Sequence, residues 1–169
     1  IVLRARRGYL IKELDESEIA EIFELRAVME EHAAHVATKV RTPQDIKEVQ
    51  ALLVRMEAMS KGSLADAPQW VDVNREFHNR IFASSGRKHL CQAINNYRAW
   101  VDGYIRVEIG MTGKLSEAHR DHRQIVTAFK NGDADLCARL SREHCLHTCA
   151  RLLKALKAKA KSKESTKAP

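Results

Sequence analysis

The chain has 169 residues, 44% of them apolar and 30% charged, and a formal net charge of +7. That length supports one ordinary domain with its own core, and the composition excludes a disordered or fibrous chain. No apolar run approaches the ~20 residues of a membrane span and no secretory leader is recognisable, so a cytoplasmic protein without a membrane partner is expected.

The positive charge is unevenly placed. From Leu152 onward there are six lysines and one glutamate, a local +5, which leaves about +2 for everything before. Residues 158–169 therefore read as a basic flexible tail rather than a nucleic-acid site. The four cysteines, Cys91, Cys137, Cys145 and Cys149, form no CxxC and no disulfide framework. They are expected as small buried hydrophobes.

In chain order, residues 1–13 stand apart. Ile1-Val2-Leu3 and Tyr9-Leu10-Ile11 read as two short strands around a turn at Gly8. Two strands alone are not a stable unit, so this piece reads as the end of something larger. The rest, 14–157, reads as helix throughout. A first helix over 16–40 opens on Asp15 with Glu18 three residues on, a capping box. Its stripe is Ile19, Ile22, Phe23, Met29, Ala33, Val36, Ala37 and Val40, with Arg26 set inside it. Two readings of that arginine stay open: a pair with a buried glutamate, or a guanidinium aimed into a cavity to receive an anion.

The second helix starts at Thr42-Pro43 and turns Ile46, Val49, Leu52, Leu53 and Met56 inward. After a break at Lys61-Gly62-Ser63 the third begins near Asp66 and stops at Ser84-Ser85-Gly86. Trp70, Val73, Phe77 and Ile81 mark its inner face, and Asn74 and His78 lie along the edge of that face, one turn apart. Polar groups pointing inward need a partner. The fourth helix, about 87–109, is expected to bury Leu90, Ile94, Tyr97, Trp100, Val101, Tyr104 and Ile105, and to end at Gly110-Met111-Thr112-Gly113. The fifth, about 115–131, puts Leu115, His122, Val126 and Phe129 on one face, with His119 one turn before His122. The sixth runs from Asp133 to about Lys157 with Leu140, His144 and Leu152 inward. Short loops between such helices give the expected fold class: an all-α, antiparallel bundle of six to seven helices with a short N-terminal β remnant.

Three helices thus each direct one imidazole inward: His78, His122 and His144. Neutral imidazoles converging in a bundle core suit a divalent transition metal such as zinc or nickel, with Asn74 offering a side-chain oxygen. Core histidines held by ordinary hydrogen bonds are the plain alternative. A second cluster, His144-Cys145-x-His147-x-Cys149, cannot turn all four side chains to one point of a helix. P-loop, GxGxxG, GxSxG and HExxH motifs are absent from the sequence.

Four segments resemble the effector-binding (FCD) domain of GntR-family transcriptional regulators of the FadR subfamily. Glu21-Ile22-Phe23-Glu24-Leu25-Arg26 resembles the family's helix opening. Asn74-x-x-Phe77-His78 followed by Ala83-Ser84-Ser85-Gly86 is similar to its D-x-x-F-H…A-S-G-N. Asp121-His122-Arg123-x-Ile125 with Gly132-Asp133, and then Arg142-Glu143-His144, are similar to its E-H-x-x-I…G-D and R-x-H. Arg7-Gly8-Tyr9-Leu10-Ile11 resembles the last hairpin of the winged helix-turn-helix that precedes this domain in the family.

The resemblance implies a non-enzymatic, homodimeric sensor that controls DNA binding through a winged helix-turn-helix absent from this sequence. It implies a divalent metal on Asn74, His78, His122 and His144, and a small organic acid as effector, with Arg26 in its carboxylate pocket. Asn74 departs from the family's commoner Asp, leaving the cation less neutralised and more receptive to an anionic ligand. Specificity is expected from the fourth helix, through Tyr97, Arg98, Trp100, Tyr104 and Arg106, with Tyr97, Arg98 and Tyr104 as effector contacts. Arg4, Arg6 and Arg7 are expected near DNA. Two rival functions are a three-His metal-dependent enzyme and a purely structural dimerisation domain.

Overall fold

The computed structural model describes residues 2–3, 9–10, 14–59, 67–112 and 115–165. Two strands, β1 (Val2–Leu3) and β2 (Tyr9–Leu10), pair antiparallel with Val2 opposite Leu10. Among the described residues six helices follow: α1 (Glu16–Val40), α2 (Pro43–Met59), α3 (Ala67–Ala83), α4 (Lys88–Thr112), α5 (Ser116–Asn131) and α6 (Ala134–Ser165). The fold is an all-α bundle, as the periodicity predicts.

Local chemistry sets the helix ends. At α1 the Asp15 carboxylate accepts from the Ser17 and Glu18 amides, and the Glu18 carboxylate accepts from the Asp15 amide. At α2 Thr42 and Asp45 exchange the equivalent bonds: Asp45 N–H donates to Thr42 Oγ1 and Thr42 N–H to Asp45 Oδ2. Gly132 ends α5 at φ 84°, where its amide reaches Ala128 O and Phe129 O. That left-handed cap reverses the chain between the two helices that carry His122 and His144. The expected break at Lys61-Gly62-Ser63 lies outside the described residues.

Ion pairs report the register of neighbouring helices. Between α1 and α6, His35 lies by Asp135, Glu31 by Arg142 and Glu16 by Lys157, so the two run antiparallel. Arg75–Asp102 and Arg106–Asp72 give the same sense for α3 and α4. Arg80 of α3 grips Asp45 and Glu48 of α2, and Glu76 pairs with Arg55 one turn on. The exposed pairs among them are individually weak. The energy lies in the core they enclose, where Phe23, Phe77, Phe82, Phe129, Met56, Ile94 and Leu152 are fully shielded from solvent.

Three expectations need correction. Trp100 does not point inward; it is 59% exposed. The interior face of α4 is carried by Ile94, Arg98, Val101, Ile105, Glu108 and Ile109. An ionised side chain takes the position that apolar counting assigned to the aromatic. Val40, assigned to the inner stripe of α1, is exposed at the helix end. Helix boundaries also shift outward. Gly110 sits within α4 rather than ending it, and α6 continues to Ser165, past the point where the basic tail was expected to begin. That segment holds Lys and Ala with no Gly or Pro, so nothing local stops the helix.

Candidate metal centre

α3, α5 and α6 bring His78, His122 and His144 together. All three are buried, and each offers a ring nitrogen within 4.8 Å of the others. His122 Nε2 and His144 Nε2 are 3.2 Å apart. Two nitrogens on one tetrahedral zinc lie about 3.3 Å apart, given Zn–N bonds of about 2.0–2.1 Å, so this pair already has a ligand spacing. His78 stacks on His144 with ring centroids 5.0 Å apart and meets His122 edge-on at 5.1 Å.

Asn74 sits one turn before His78. Its Oδ1 is buried and has no hydrogen-bond partner, and His122 Nδ1 is likewise buried and unpartnered. The orphaned Asn74 Oδ1 costs free energy and fits a cation as its missing partner. Trp70, Phe77 and Phe82 wrap the imidazoles with apolar surface. Such a wall excludes water and strengthens any charge interaction inside it.

Asp121 stands behind the cluster. Its Oδ2 lies 3.4 Å from His144 Nδ1 and the same distance from His147 Nδ1. A carboxylate there favours a proton on His144 Nδ1 and frees the Nε2 lone pair for the interior. His147 itself is solvent-exposed, and Cys145 turns instead toward Phe23 O, so the His144/Cys145/His147/Cys149 group does not converge. Cys137, Cys145 and Cys149 are buried free cysteines, and burial pushes the Cys145 thiol up to about 12. His119 is engaged elsewhere: Trp70 Nε1 donates to its Nε2 at 3.1 Å.

Burial, first, drives His78 and His122 well below the ordinary imidazole range, helped by Arg98 and by the neighbouring imidazoles. His144 is also lowered by burial, partly offset by Asp121. All three are therefore neutral and metal-competent near pH 7. The unfolded chain takes up protons near pH ~6.5, and the folded chain only at lower pH. Below ~6.5 the unfolded state binds more protons, so metal-free protein loses stability as pH falls. Its melting temperature should drop steadily between about pH 7 and 5; a flat profile over that range would show that the three imidazoles are not held neutral.

Beside the histidines lies a cavity of about 30 Å³, lined in part by Arg26, Asn74, His78, Arg98 and His144. Arg26 and Arg98 are both buried and share one carboxylate. Arg26 Nε and Nη2 lie 3.0 and 2.9 Å from Glu30 Oε1, and Arg98 Nη1 lies 3.5 Å from it. Arg26 Nη1 and Arg98 Nε keep no hydrogen-bond partner. Burial alone lowers both guanidiniums; Glu30 more than compensates at Arg26, while Arg98 stays lowered. Arg26 thus pairs with a buried glutamate, and it also lines the cavity.

Tyr97 and Tyr104 are placed differently. Tyr97 packs edge-on against Trp100, and Tyr104 OH accepts from the Leu14 amide at 2.7 Å, tying α4 to the start of α1. Arg106 is spent on Asp72. Arg4, Arg6 and Arg7 lie outside the described residues. Glu30 and Asp121 were not singled out as site residues by sequence. The signal for Glu30 was present, an acid four residues from an arginine in the same stripe. None existed for the pairing of Asp121 with His144, which depends on the register of α5 against α6.

A family model of the FCD domain matches residues 21–147. The chain belongs to the FCD domain family. It is 29% identical over 146 residues to the HTH-type transcriptional regulator McbR of Escherichia coli K12, covering 83% of this chain and 61% of that protein. It is 26% identical over 143 residues to the gluconate operon transcriptional repressor of Bacillus licheniformis, covering 80% of this chain and 57% of the repressor. The chain thus spans about three-fifths of the length of these relatives. Among solved structures, E. coli McbR/YncC superposes with a TM-score of 0.81 at 24% identity, covering 90% of this chain and 76% of that one. A GntR family member from Pseudomonas syringae gives 0.78 at 17%, covering 95% and 65%. These likenesses agree on the helical fold of an FCD domain. Among the described residues, no helix is long and apolar enough to cross a membrane.

Proposed function

We propose that this FCD domain is the ligand-sensing, dimerising part of a cytoplasmic bacterial transcriptional regulator. In this reading it binds a divalent transition metal and a small organic acid, and so controls DNA binding by the whole regulator. One observation carries it: an FCD bundle whose core joins three neutral histidines and an orphaned amide oxygen to a cavity with surplus buried guanidinium. The named relatives are transcriptional regulators, which supports sensing rather than catalysis. So does His119, whose Nε2 is occupied by Trp70.

Asn74, His78, His122 and His144 would hold zinc or nickel; three neutral nitrogens and a neutral oxygen leave the cation's charge uncompensated. A bound ion there supplies a Lewis-acid anchor for a carboxylate. Asp121 orients His144, and Arg26 and Arg98 supply donors for the acid's oxygens. The cavity has room for roughly two waters, so an organic acid must move its walls. α4, which carries Arg98, is the wall contributed by one helix to both the cavity and the outer surface. Displacing it is a route from ligand binding to the rest of the regulator, by biasing two arrangements of the bundle.

A homodimer is supported by large apolar side chains left in solvent on two helices that pack together: Leu25 and Val28 on α1, Trp100 and Val107 on α4. Native mass spectrometry of protein purified without chelator tests the reading in one measurement. The expected species is a dimer carrying a divalent metal in each protomer, with mass shifts on addition of organic acids. A metal-free monomer that takes up neither zinc, nickel nor any acid would sink it.

A further inference from the structure

The cavity extends beyond the metal centre. Among the described residues its wall carries a third guanidinium, Arg151 of α6, and a single carboxylate, Glu108 of α4. Arg151 Nη2 donates to Thr148 Oγ1 at 3.1 Å, but Arg151 Nη1 is buried without a hydrogen-bond partner. Its closest acid, the exposed Glu117, is 3.9 Å away. Glu108 forms no ion pair with Arg151 within 4 Å, although the two charges attract, and it accepts from Thr112 Oγ1 at 3.3 Å. Apart from the metal centre, the cavity wall therefore carries guanidiniums at two places. One is the Arg26/Arg98 pair, which lies within electrostatic reach of Cys145. The other is Arg151, which lies six residues beyond Cys145 on α6, an axial rise of about 9 Å. A monoacid satisfies one place and leaves the second with a buried N–H unpaired.

Resting on the sensing role above, we propose that the ligand is a dicarboxylic acid, its first carboxylate held at Arg26 and Arg98 and its second by Arg151. The two anchors set the length of the ligand as well as its charge. Arg151 lines the cavity with a side chain 20% exposed, against 4% and 3% for Arg26 and Arg98, so it is the guanidinium best able to move aside as an acid enters. A charge-assisted hydrogen bond at that end is worth about tenfold or more in affinity over a ligand that lacks it.

The test is calorimetric titration of the whole chain, loaded with zinc, with three matched pairs: succinate against butyrate, glutarate against valerate, adipate against hexanoate. At least one diacid is expected to bind about tenfold tighter than its monoacid. Arg151→Gln should remove that advantage, bringing each diacid down to the affinity of its monoacid. Arg151→Lys, which keeps charge and stem if the first variant folds poorly, should retain part of it. Monoacids that match diacids in the unaltered chain, or a diacid advantage that survives Arg151→Gln, would overturn the two-anchor assignment while leaving the sensing role intact. Zinc binding with no response to any of the six acids would overturn both.

Discussion

Zinc titrated into metal-free protein should raise its melting temperature by about 10 °C once free zinc exceeds the dissociation constant about a thousandfold. Ligand binding to the folded state alone then contributes about 4 kcal/mol, and a chain of this size gains about 2–4 °C per kcal/mol. His122→Ala should abolish most of the rise. Its ring is fully buried, its Nε2 faces His144, and alanine offers no donor in its place. The expected loss in affinity is about a hundredfold or more, larger than for an orienting residue, because a metal–ligand bond itself is removed. Asn74→Asp should act in the opposite direction: a carboxylate replaces the unpartnered amide oxygen and neutralises part of the ion's charge. Isothermal titration and thermal melts of the three proteins read both effects. A thermal rise of equal size in His122→Ala places the ion elsewhere.

How much of this was legible in the sequence differs by feature. α3 was readable because Trp70, Val73, Phe77 and Ile81 repeat at helical spacing, and all four are buried. The caps were readable because their chemistry is local: Asp15 with Glu18, Thr42 with Pro43, and Gly132 at a left-handed dihedral. Helix faces carry less information than helix heights. Periodicity assigned His78, His122 and His144 to the interior, but only the register of α3, α5 and α6 puts their nitrogens at one level, and that register is a sum of core contacts distant in sequence. α4 was misread for a related reason. Apolar counting placed Trp100 inside, whereas the interior position belongs to Arg98, whose nearest counter-charge is Glu30 of another helix. A compensating charge that far away in the chain leaves no periodic mark.

That dependence makes Glu30 the residue whose loss should cost most outside the metal centre. Its carboxylate is 1% exposed and is the shared counter-charge of two buried guanidiniums. Glu30→Gln keeps the shape but leaves Arg26 and Arg98 as like charges in a water-poor interior. Removing one partner of a buried ion pair costs about 3–5 kcal/mol, so the melting temperature should fall by about 10 °C. A destabilisation of that origin has a second signature that a packing defect lacks: an added anion can supply the missing charge. Dicarboxylates or sulfate should therefore restore more of the melting temperature in Glu30→Gln than they add to the unaltered chain, and Glu30→Asp, shorter but still anionic, should lie between the two. Guanidiniums held mainly by packing would predict a loss under about 1 kcal/mol and no preferential rescue by anions. The same surplus of positive charge that an acid ligand would neutralise is thus held in check, in the cavity wall, chiefly by one glutamate.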